Sequence, residues 1–554
     1  MVLDLDDLPN DHMLHADVCI VGAGASGIAL ALDLESSGYD ILVLESGSLK
    51  PEPKTQALYD GEVSNERMHS PTDRYRQRRF GGSTTVWGGR CMPFDEIDFS
   101  TRSYVPYSGW PISLADLQSF YPPANKLCEA GEFKYQAREC ADLSQTQLIQ
   151  DFSPENFSAD SLERFSCPTD FGKRYLHRFE SSPNICVVLH ANLLNIELGD
   201  NGTTTESVTV CSLHGKKASA RARFFVLATG GLEVPRILLN CRDTQKQGIG
   251  NQNDLVGRFY MCHLAGTIGK ITFSGTSESV RHGYEMSEEG IYCRRRMALR
   301  PEIQRKYGIG NFVSRLHHPR ITDPEHKNSV LSLLYMGRWA IPFEYRQRLY
   351  DADPFSMAKL IKHLKNVVTG PHDVIAFCWH MLNDRYLADR KYPSIIVKPK
   401  RPVFSLDFHA EQYPNPESRV RLAESVDALN FQKLSVDWRY TSGDIESIAS
   451  ALGLLSKDIE KSGVGEFEYD PQTIESEATR YGAYGGHHMG TTRMGSNPSN
   501  SVVDSNCKIH STTNLYVAGS SVFPTSSQAT PTLTIVAMSL RLSNHLANKL
   551  SHTS

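Results

Sequence analysis

Four short apolar runs, each followed at once by small or acidic residues, frame the chain. Residues 18–21 (VCIV) lead into Gly22, residues 41–44 (ILVL) into Glu45, residues 224–227 (FFVL) into an Ala-Thr-Gly-Gly turn, and residues 515–517 (LYV) into Ala518 and Gly519. Apolar runs of this length, bounded by turn residues, have the pattern of strands buried on both faces, as in a parallel sheet. Between the first two runs, Ile28, Leu30, Leu32 and Leu34 lie in a helical stretch that closes at Gly38, a natural C-cap. After the third run a helix follows the Gly-Gly turn. After the fourth, Thr530 and Pro531 open a helix through LTIVAMSLRLSNHLANKL, with Thr530 as N-cap and Pro531 at the first helical position. Residues 185–198 (ICVVLHANLLNIEL) have a strand pattern. Residues from about 120 to 180 are mixed. From 270 to 480 the pattern is one of alternating strands, long polar loops and charged clusters, including a loop-then-strand signal over residues 408–422. No internal repeat or low-complexity tract interrupts it.

The first strand–turn–helix carries recognisable chemistry. Gly22, Gly24 and Gly27 make GxGxxG, with Ala25 and Ser26 at the start of the helix. The first glycine permits the tight turn, the second lets a pyrophosphate approach the backbone, and the third lets helix and strand pack closely. The helix N-terminus then holds the negative charge. Glu45, eighteen residues after Gly27 and followed by Ser46, stands where an acid accepts from an adenosine ribose hydroxyl. This predicts a dinucleotide site without choosing FAD over NAD.

A second segment of small residues, Gly81, Gly82, Gly88 and Gly89 around Ser83, Thr84 and Trp87, suits a course along a planar ring or a phosphate. The cluster Arg74, Arg76, Arg78 and Arg79 just before it has the pattern of a solvated charged face. A third segment, residues 485–495 (GGHHMGTTRMG), is too rich in glycine for a helix or a strand interior and sets two histidines in a loop. The pair Trp379 and His380 is a weaker pocket candidate, more in keeping with ordinary packing.

Composition narrows the class. At 554 residues the chain calls for two or more domains. With 58 basic and 63 acidic residues, a net charge of −5 and no polybasic block, nucleic acid is not an expected partner. No apolar stretch approaches the length of a membrane span, and the acidic, polar first residues do not form a secretory signal. The twelve cysteines lack metal-ligand spacing, and Cys19 falls inside an apolar strand, so reduced thiols and a cytoplasmic location are expected.

Taken in order, GxGxxG, residues 80–89 (FGGSTTVWGG) and residues 487–495 (HHMGTTRMG) resemble the glucose–methanol–choline (GMC) oxidoreductases. Residues 104–117 (YVPYSGWPISLADL) are similar to the branch containing fructose dehydrogenase large subunits and pyranose 2-oxidases. The resemblance implies an α/β fold, α+β overall: a Rossmann-like FAD-binding domain from residues 1–100, 185–265 and 485–554, and a sheet-based substrate domain with connecting segments from 101–184 and 266–484. It implies FAD as the dinucleotide. The backbone at Leu193 would contact adenine, and Ala228, Thr229 and Gly230 would close over the dinucleotide. Gly519 and Ser520 would lie at the pyrophosphate and ribityl chain. The helix opened by Thr530, Pro531 and Thr532 would point its positive N-terminus at the flavin pyrimidine ring. Where pyranose oxidases carry the histidine that attaches the flavin covalently, this chain has Val86, so FAD is expected to be held non-covalently.

Alcohol oxidation needs a base for the hydroxyl proton and an acceptor for the carbon-bound hydride. The family's catalytic histidine stands six positions before the arginine of the closing RMG, which points to His487 as base and leaves His488 to pack or to hydrogen-bond behind it. Relatives carry Asn or His just before the last helix to hold the substrate oxygen. Here Thr530 stands there, with less hydrogen-bonding reach than an amide, so Thr530, Gln528 and His488 are the candidates for that role. The expected activity is oxidation of a secondary alcohol, a ring hydroxyl of a sugar or glycoside, with oxygen, a quinone or a carrier as electron acceptor. A redox-neutral lyase- or decarboxylase-like reaction, a non-sugar alcohol, and a flavoprotein that only passes electrons are the alternatives.

Overall fold

The computed structural model describes residues 1–341, 346, 356–480, 482–483 and 485–552. Its first sheet runs in the order Val2–Asp4, Ile185–Leu189, Ile41–Leu44, His12–Val21, Lys217–Leu227, Thr205–Cys211 and Asn192–Leu198, with Leu515–Val517 also paired to Lys217–Leu227. The four apolar runs are its parallel core. Val21 stands in register with Leu44 and with Leu227, and Leu227 with Val517. The residues that follow the runs therefore emerge side by side at one edge, the carboxyl end where open α/β sheets bind ligands. The helix Ala25–Leu34 continues as a short 3-10 turn, Glu35–Ser37, and ends on Gly38 at φ 76°, a left-handed cap that glycine adopts without strain. The last helix, Thr532–His552, packs on it, and the Ser26 and Ser539 hydroxyls meet at 2.7 Å.

The second sheet is antiparallel, in the order Gly465–Glu468, His263–Phe273, Val403–Glu411, Phe312–His317, Tyr292–Leu299, Phe157–Phe165 and Arg90–Cys91, with Tyr284–Met286 paired to Tyr292–Leu299. Ala265 lies opposite His409 on the neighbouring strand. Two expectations for this region are corrected. Residues 270–480 hold helices as well as strands: Ser329–Met336, Met357–Thr369, Pro371–His380 and the 21-residue Ser442–Ser462. The last is fully specified locally, with a Thr441/Asp444 capping box, a left-handed Gly463 and a buried face of Ile448, Ala451, Leu452, Leu455 and Ile459. Residues 408–422 begin inside the strand Val403–Glu411 rather than in a loop, which is confined to residues 412–418 before the strand Arg419–Val426. All twelve cysteines are free thiols, and burial pushes the Cys19 thiol well up.

Candidate functional site

Glycine backbones from four separate segments touch one another at the edge of the first sheet. A Cβ on Gly27 would stand 1.9 Å from the Gly22 carbonyl oxygen, and one on Gly82 would stand 2.8 Å from the Gly24 Cα. On Gly22, at φ 102°, it would meet the Ala228 carbonyl oxygen at 2.8 Å, and on Gly231 the His488 carbonyl oxygen at 2.1 Å. Glu45 ties this turn together: one carboxylate oxygen accepts from Ala23 N at 2.8 Å, the other from Gly47 N at 2.8 Å and from the Ser46 hydroxyl at 3.2 Å.

From this turn a cavity of about 1280 Å³ runs across the molecule. Gly22, Gly24, Ala25, Ser26, Glu45 and Ser46 line one region of it, as do Gly82, Ser83, Thr84, Trp87, Gly88 and Gly89, with Val86 between them. Leu193, Ala228, Thr229, Gly230, Gly519, Ser520, Thr530, Pro531 and Thr532 line it too, together with His487 and His488. Of the residues singled out in the sequence, Gly27 lies behind the wall, as its packing role requires. The Thr229 hydroxyl is buried in this wall without a hydrogen-bond partner. A buried orphan hydroxyl, a cradle of bare backbone and a carboxylate beside a helix N-terminus together fit a dinucleotide.

The histidine loop is laced into its surroundings. Met489 exchanges both backbone hydrogen bonds with Met261. Gly490, Thr492 and Met494 donate to the carbonyls of Ser520, Ser521 and Val522. The Thr491 hydroxyl donates to the Gly231 carbonyl at 2.6 Å. Arg493 is buried over the Phe259 ring and donates to the Tyr107 carbonyl, and that burial lowers its pKa to about 10.

Hydrogen-bond chemistry sets the tautomers of both histidines. His263 Nε2 lies 3.2 Å from the Ser526 carbonyl, which can only accept, so this nitrogen carries the proton. In the neutral ring His263 Nδ1 is then an acceptor, and its partner at 2.8 Å, His487 Nδ1, donates to it. Neutral His487 is left with its lone pair on Nε2, the form a general base requires. A second relay fixes His488. His69 Nδ1 donates to the Ser70 carbonyl at 2.6 Å, His69 Nε2 accepts from the Tyr260 hydroxyl at 2.7 Å, and the Tyr260 oxygen accepts from His488 Nδ1 at 2.6 Å.

His69 and His488 differ from ordinary imidazoles in basicity. Burial brings His69 down to about 4 and, with His69 and Arg76 adding to it, holds His488 well below 6.5. Unfolded, both rings take up a proton near pH 6.5. Folded, they resist until the medium is far more acidic. Their contribution is therefore fully present above pH 6.5 and is lost as pH falls from 6.5 toward 4, by up to about 3 kcal/mol for His69 alone. Denaturant midpoints should fall across that window; a midpoint unchanged between pH 7.5 and 4.5 would contradict the neutral state of these rings.

The candidates for the second position separate. Gln528 is withdrawn from the cavity: its oxygen accepts from Arg296 at 2.7 Å and its nitrogen donates to Asp95 at 3.1 Å. Thr530 lines the cavity but does not cap the helix as the sequence suggested. Its hydroxyl donates to the Arg90 carbonyl at 3.0 Å, while the first helical hydrogen bond runs from Ile535 N to the Pro531 carbonyl. His263 and His409, two residues that sequence reasoning missed, complete this end. His409 is buried, lines the cavity and lies ring to ring 5.9 Å from His263. His409 is one of the alternating polar positions Ser405, Asp407, His409 and Glu411, and His263 opens its strand, so no local signal singles out either.

The arginine cluster is a further correction. Arg76 and Arg78 are buried, not solvated: Arg76 stacks on Tyr59 at 3.8 Å, and both pair with buried Glu233. Trp379 is exposed and His380 pairs with Asp384 at 2.6 Å. Neither lines the cavity, although Phe377, Cys378 and Met381 beside them do.

Residues 414–539 match the family model described as GMC oxidoreductase. The match covers the C-terminal part of the chain, including the histidine loop and the last strand of the first sheet. Over its whole length the chain is 23% identical to the 6'''-hydroxyparomomycin C oxidase of Streptomyces lividus, a match covering 97% of this chain and 92% of the relative. It is also 23% identical to the fructose dehydrogenase large subunit of Gluconobacter japonicus, covering 98% and 99%. The pyridoxine 4-oxidase from Mesorbium loti shares the fold, with a TM-score of 0.57 at 18% identity over 96% of this chain and 98% of that one. These matches make the chain an oxidoreductase that acts on alcohols, similar to GMC flavoenzymes that have a Rossmann-like FAD domain and a substrate domain. No described helix is long and apolar enough to cross a membrane.

Proposed function

We propose that this enzyme oxidises a secondary ring hydroxyl of a sugar or glycoside to the ketone, with His487 as the base. The observation that carries this reading is the His487 tautomer: Nδ1 held by His263, Nε2 a proton acceptor, in the wall of the cavity that the glycine segments share. FAD, bound non-covalently in that cavity, supplies the acceptor for the carbon-bound hydride.

The protein's own groups do the rest. His487 Nε2 takes the hydroxyl proton, and the resulting positive charge is shared toward His263 through the Nδ1 hydrogen bond. His488 is a poor base for this task because burial disfavours its protonated form. Thr530, its proton directed to Arg90, offers the substrate only an acceptor, so His409 assists in holding the substrate oxygen. The positive end of the helix Thr532–His552, at the cavity wall, would favour negative charge on a bound cofactor.

The sugar assignment is supported by the wall on the side of the second sheet. There the lining combines polar Tyr284, Arg294, His317 and Asp407 with apolar Leu382, Ile395 and Ile396, a mixture suited to the hydroxyls and the carbon face of a sugar ring. Two named activities among the relatives, on 6'''-hydroxyparomomycin C and on fructose, point the same way. The domain division at residues 1–100, 185–265 and 485–554 against the remainder, and a cytoplasmic location in keeping with twelve free thiols, belong to the same reading. The test is product analysis after incubation with a panel of sugars, glycosides and aminoglycosides and a dye acceptor. A keto-sugar from one of them supports the reading; an aldehyde from a primary hydroxyl, or turnover only of non-sugar alcohols, overturns the substrate class.

Non-covalent attachment has its own check. Val86 offers no atom for a bond to the flavin, so acid precipitation should release essentially all yellow colour into the supernatant. Colour kept in the pellet would contradict it. A redox-neutral reaction at the same site is favoured by one observation, the diversion of the Thr530 proton to Arg90, and would show as turnover without net reduction of an acceptor.

A further inference from the structure

Two consecutive helices beside the cavity bury little of their apolar surface. In Met357–Thr369 the four residues Met357, Ile361, Leu364 and Val368 are all exposed, Val368 by 69%. Their spacing of i, i+4, i+7 and i+11 places them in a stripe about 60° wide. The other face packs inward through His363, which stacks on Tyr335 of the helix Ser329–Met336. Lys362 and Lys365, both exposed, fall on one flank of the stripe. The next helix, Pro371–His380, exposes Ile375 and Trp379, each by 66%, away from the cavity, and its continuation Met381–Leu387 exposes Leu382 and Tyr386, which also line the cavity. Trp339, 75% exposed, adds a third aromatic anchor.

Charge distinguishes this region from the rest of the molecule. Residues 356–401 contain nine Lys and Arg against three Asp and Glu, an excess of six positive charges in a chain whose net charge is −5. Two of those acids are already engaged, Asp373 with Lys400 and Asp384 with His380.

We infer that these two helices dock the enzyme on an anionic lipid surface. Apolar stripes flanked by lysines, with Trp and Tyr among the exposed residues, are the pattern of helices that lie in the headgroup layer. The excess positive charge is complementary to acidic headgroups. The same charge argues against a second copy of this chain as the occupant, because a two-fold contact would set the basic region against itself. Docking is peripheral, since no described helix can span a bilayer. It would also bring the cavity close to the surface, because Phe377, Met381 and Arg385 on the same helical segment line it. The inference does not depend on which alcohol is oxidised.

The test is flotation of the holoenzyme with vesicles of phosphatidylcholine alone and of phosphatidylcholine with phosphatidylserine, at low and high salt. The expected result is co-flotation with the phosphatidylserine vesicles, weakened by salt. Ile361→Glu combined with Trp379→Glu, at two exposed positions away from the cavity wall, should lower that binding at least ten-fold while flavin content is unchanged. Lys362→Glu combined with Lys365→Glu should weaken it and flatten the salt dependence. Absence of flotation on anionic vesicles at low salt overturns the inference, as does flotation unaffected by both pairs of substitutions. A dimer that the Ile361/Trp379 pair dissolves, without vesicle binding, assigns the face to a second copy and overturns it equally.

Discussion

His487→Ala lowers the rate at which substrate bleaches the bound flavin by about a thousand-fold, within the range that general bases supply, and leaves the flavin in place. The loss is specific to proton removal, because His487 lines the cavity while its loop is held by other bonds. Met489, Gly490, Thr492 and Met494 are tied through backbone groups, and Arg493 through Tyr107 and Phe259. Removing the imidazole therefore leaves the loop in position. The flavin spectrum of the purified variant and its anaerobic half-reaction by stopped flow check the two parts separately. A variant that still reduces its flavin at the wild-type rate would remove His487 from the base role.

Glu233→Gln destabilises the protein by about 3 kcal/mol or more, the usual cost of leaving buried charges without their partner. Glu233 is buried among Arg76, Arg78 and Arg236, at 3.6, 3.1 and 3.0 Å. Burial raises its pKa, but Arg236, Arg78 and Arg76 outweigh that and bring it down to about 2. Arg236 keeps a second carboxylate, Asp427, at 2.6 Å; among the described residues Arg76 and Arg78 pair with no carboxylate but Glu233. Denaturant unfolding at neutral pH measures the loss. Because the two arginines and Glu233 line the cavity, the variant should also bind flavin more weakly, seen as cofactor lost on gel filtration. An unchanged midpoint would mean that this cluster does not hold the site together.

How far these features were visible in the sequence depended on whether they were local. The runs at 18–21, 41–44, 224–227 and 515–517 were legible because a strand buried on both faces needs only a short apolar stretch and a turn residue to declare itself. That they would come into register, and set Gly22, Glu45, Ala228 and Ala518 along one edge, follows from pairing between segments hundreds of residues apart. The glycine segments were legible as close-approach backbone; that Gly231 would press on the carbonyl of His488 was not. His487 is legible from its spacing to Arg493. Its tautomer is not, because it is set by His263 and Ser526, distant residues with no motif of their own.

The misread elements have physical causes as well. Arg76 and Arg78 looked like a solvated face because four arginines in six residues usually are one. Their partner Glu233 lies over 150 residues on, and no local pattern announces it. The helix Ser442–Ser462 is marked by its capping box and its spacing of Ile448, Ala451, Leu452 and Leu455, which the charged residues on either side obscure. Thr530 misled in a smaller way. A Thr before Pro is a good cap by residue type, but the Arg90 carbonyl takes its proton.

The central claim is that a sugar hydroxyl meets His487 at the flavin and is oxidised there. Its most direct test is the visible spectrum of the purified enzyme during anaerobic titration with sugars, glycosides and aminoglycosides. Loss of the oxidised flavin band with one of them, and persistence of that band in His487→Ala under the same conditions, is the predicted result. A band that no sugar or glycoside removes, in a preparation with full flavin content, would contradict the account.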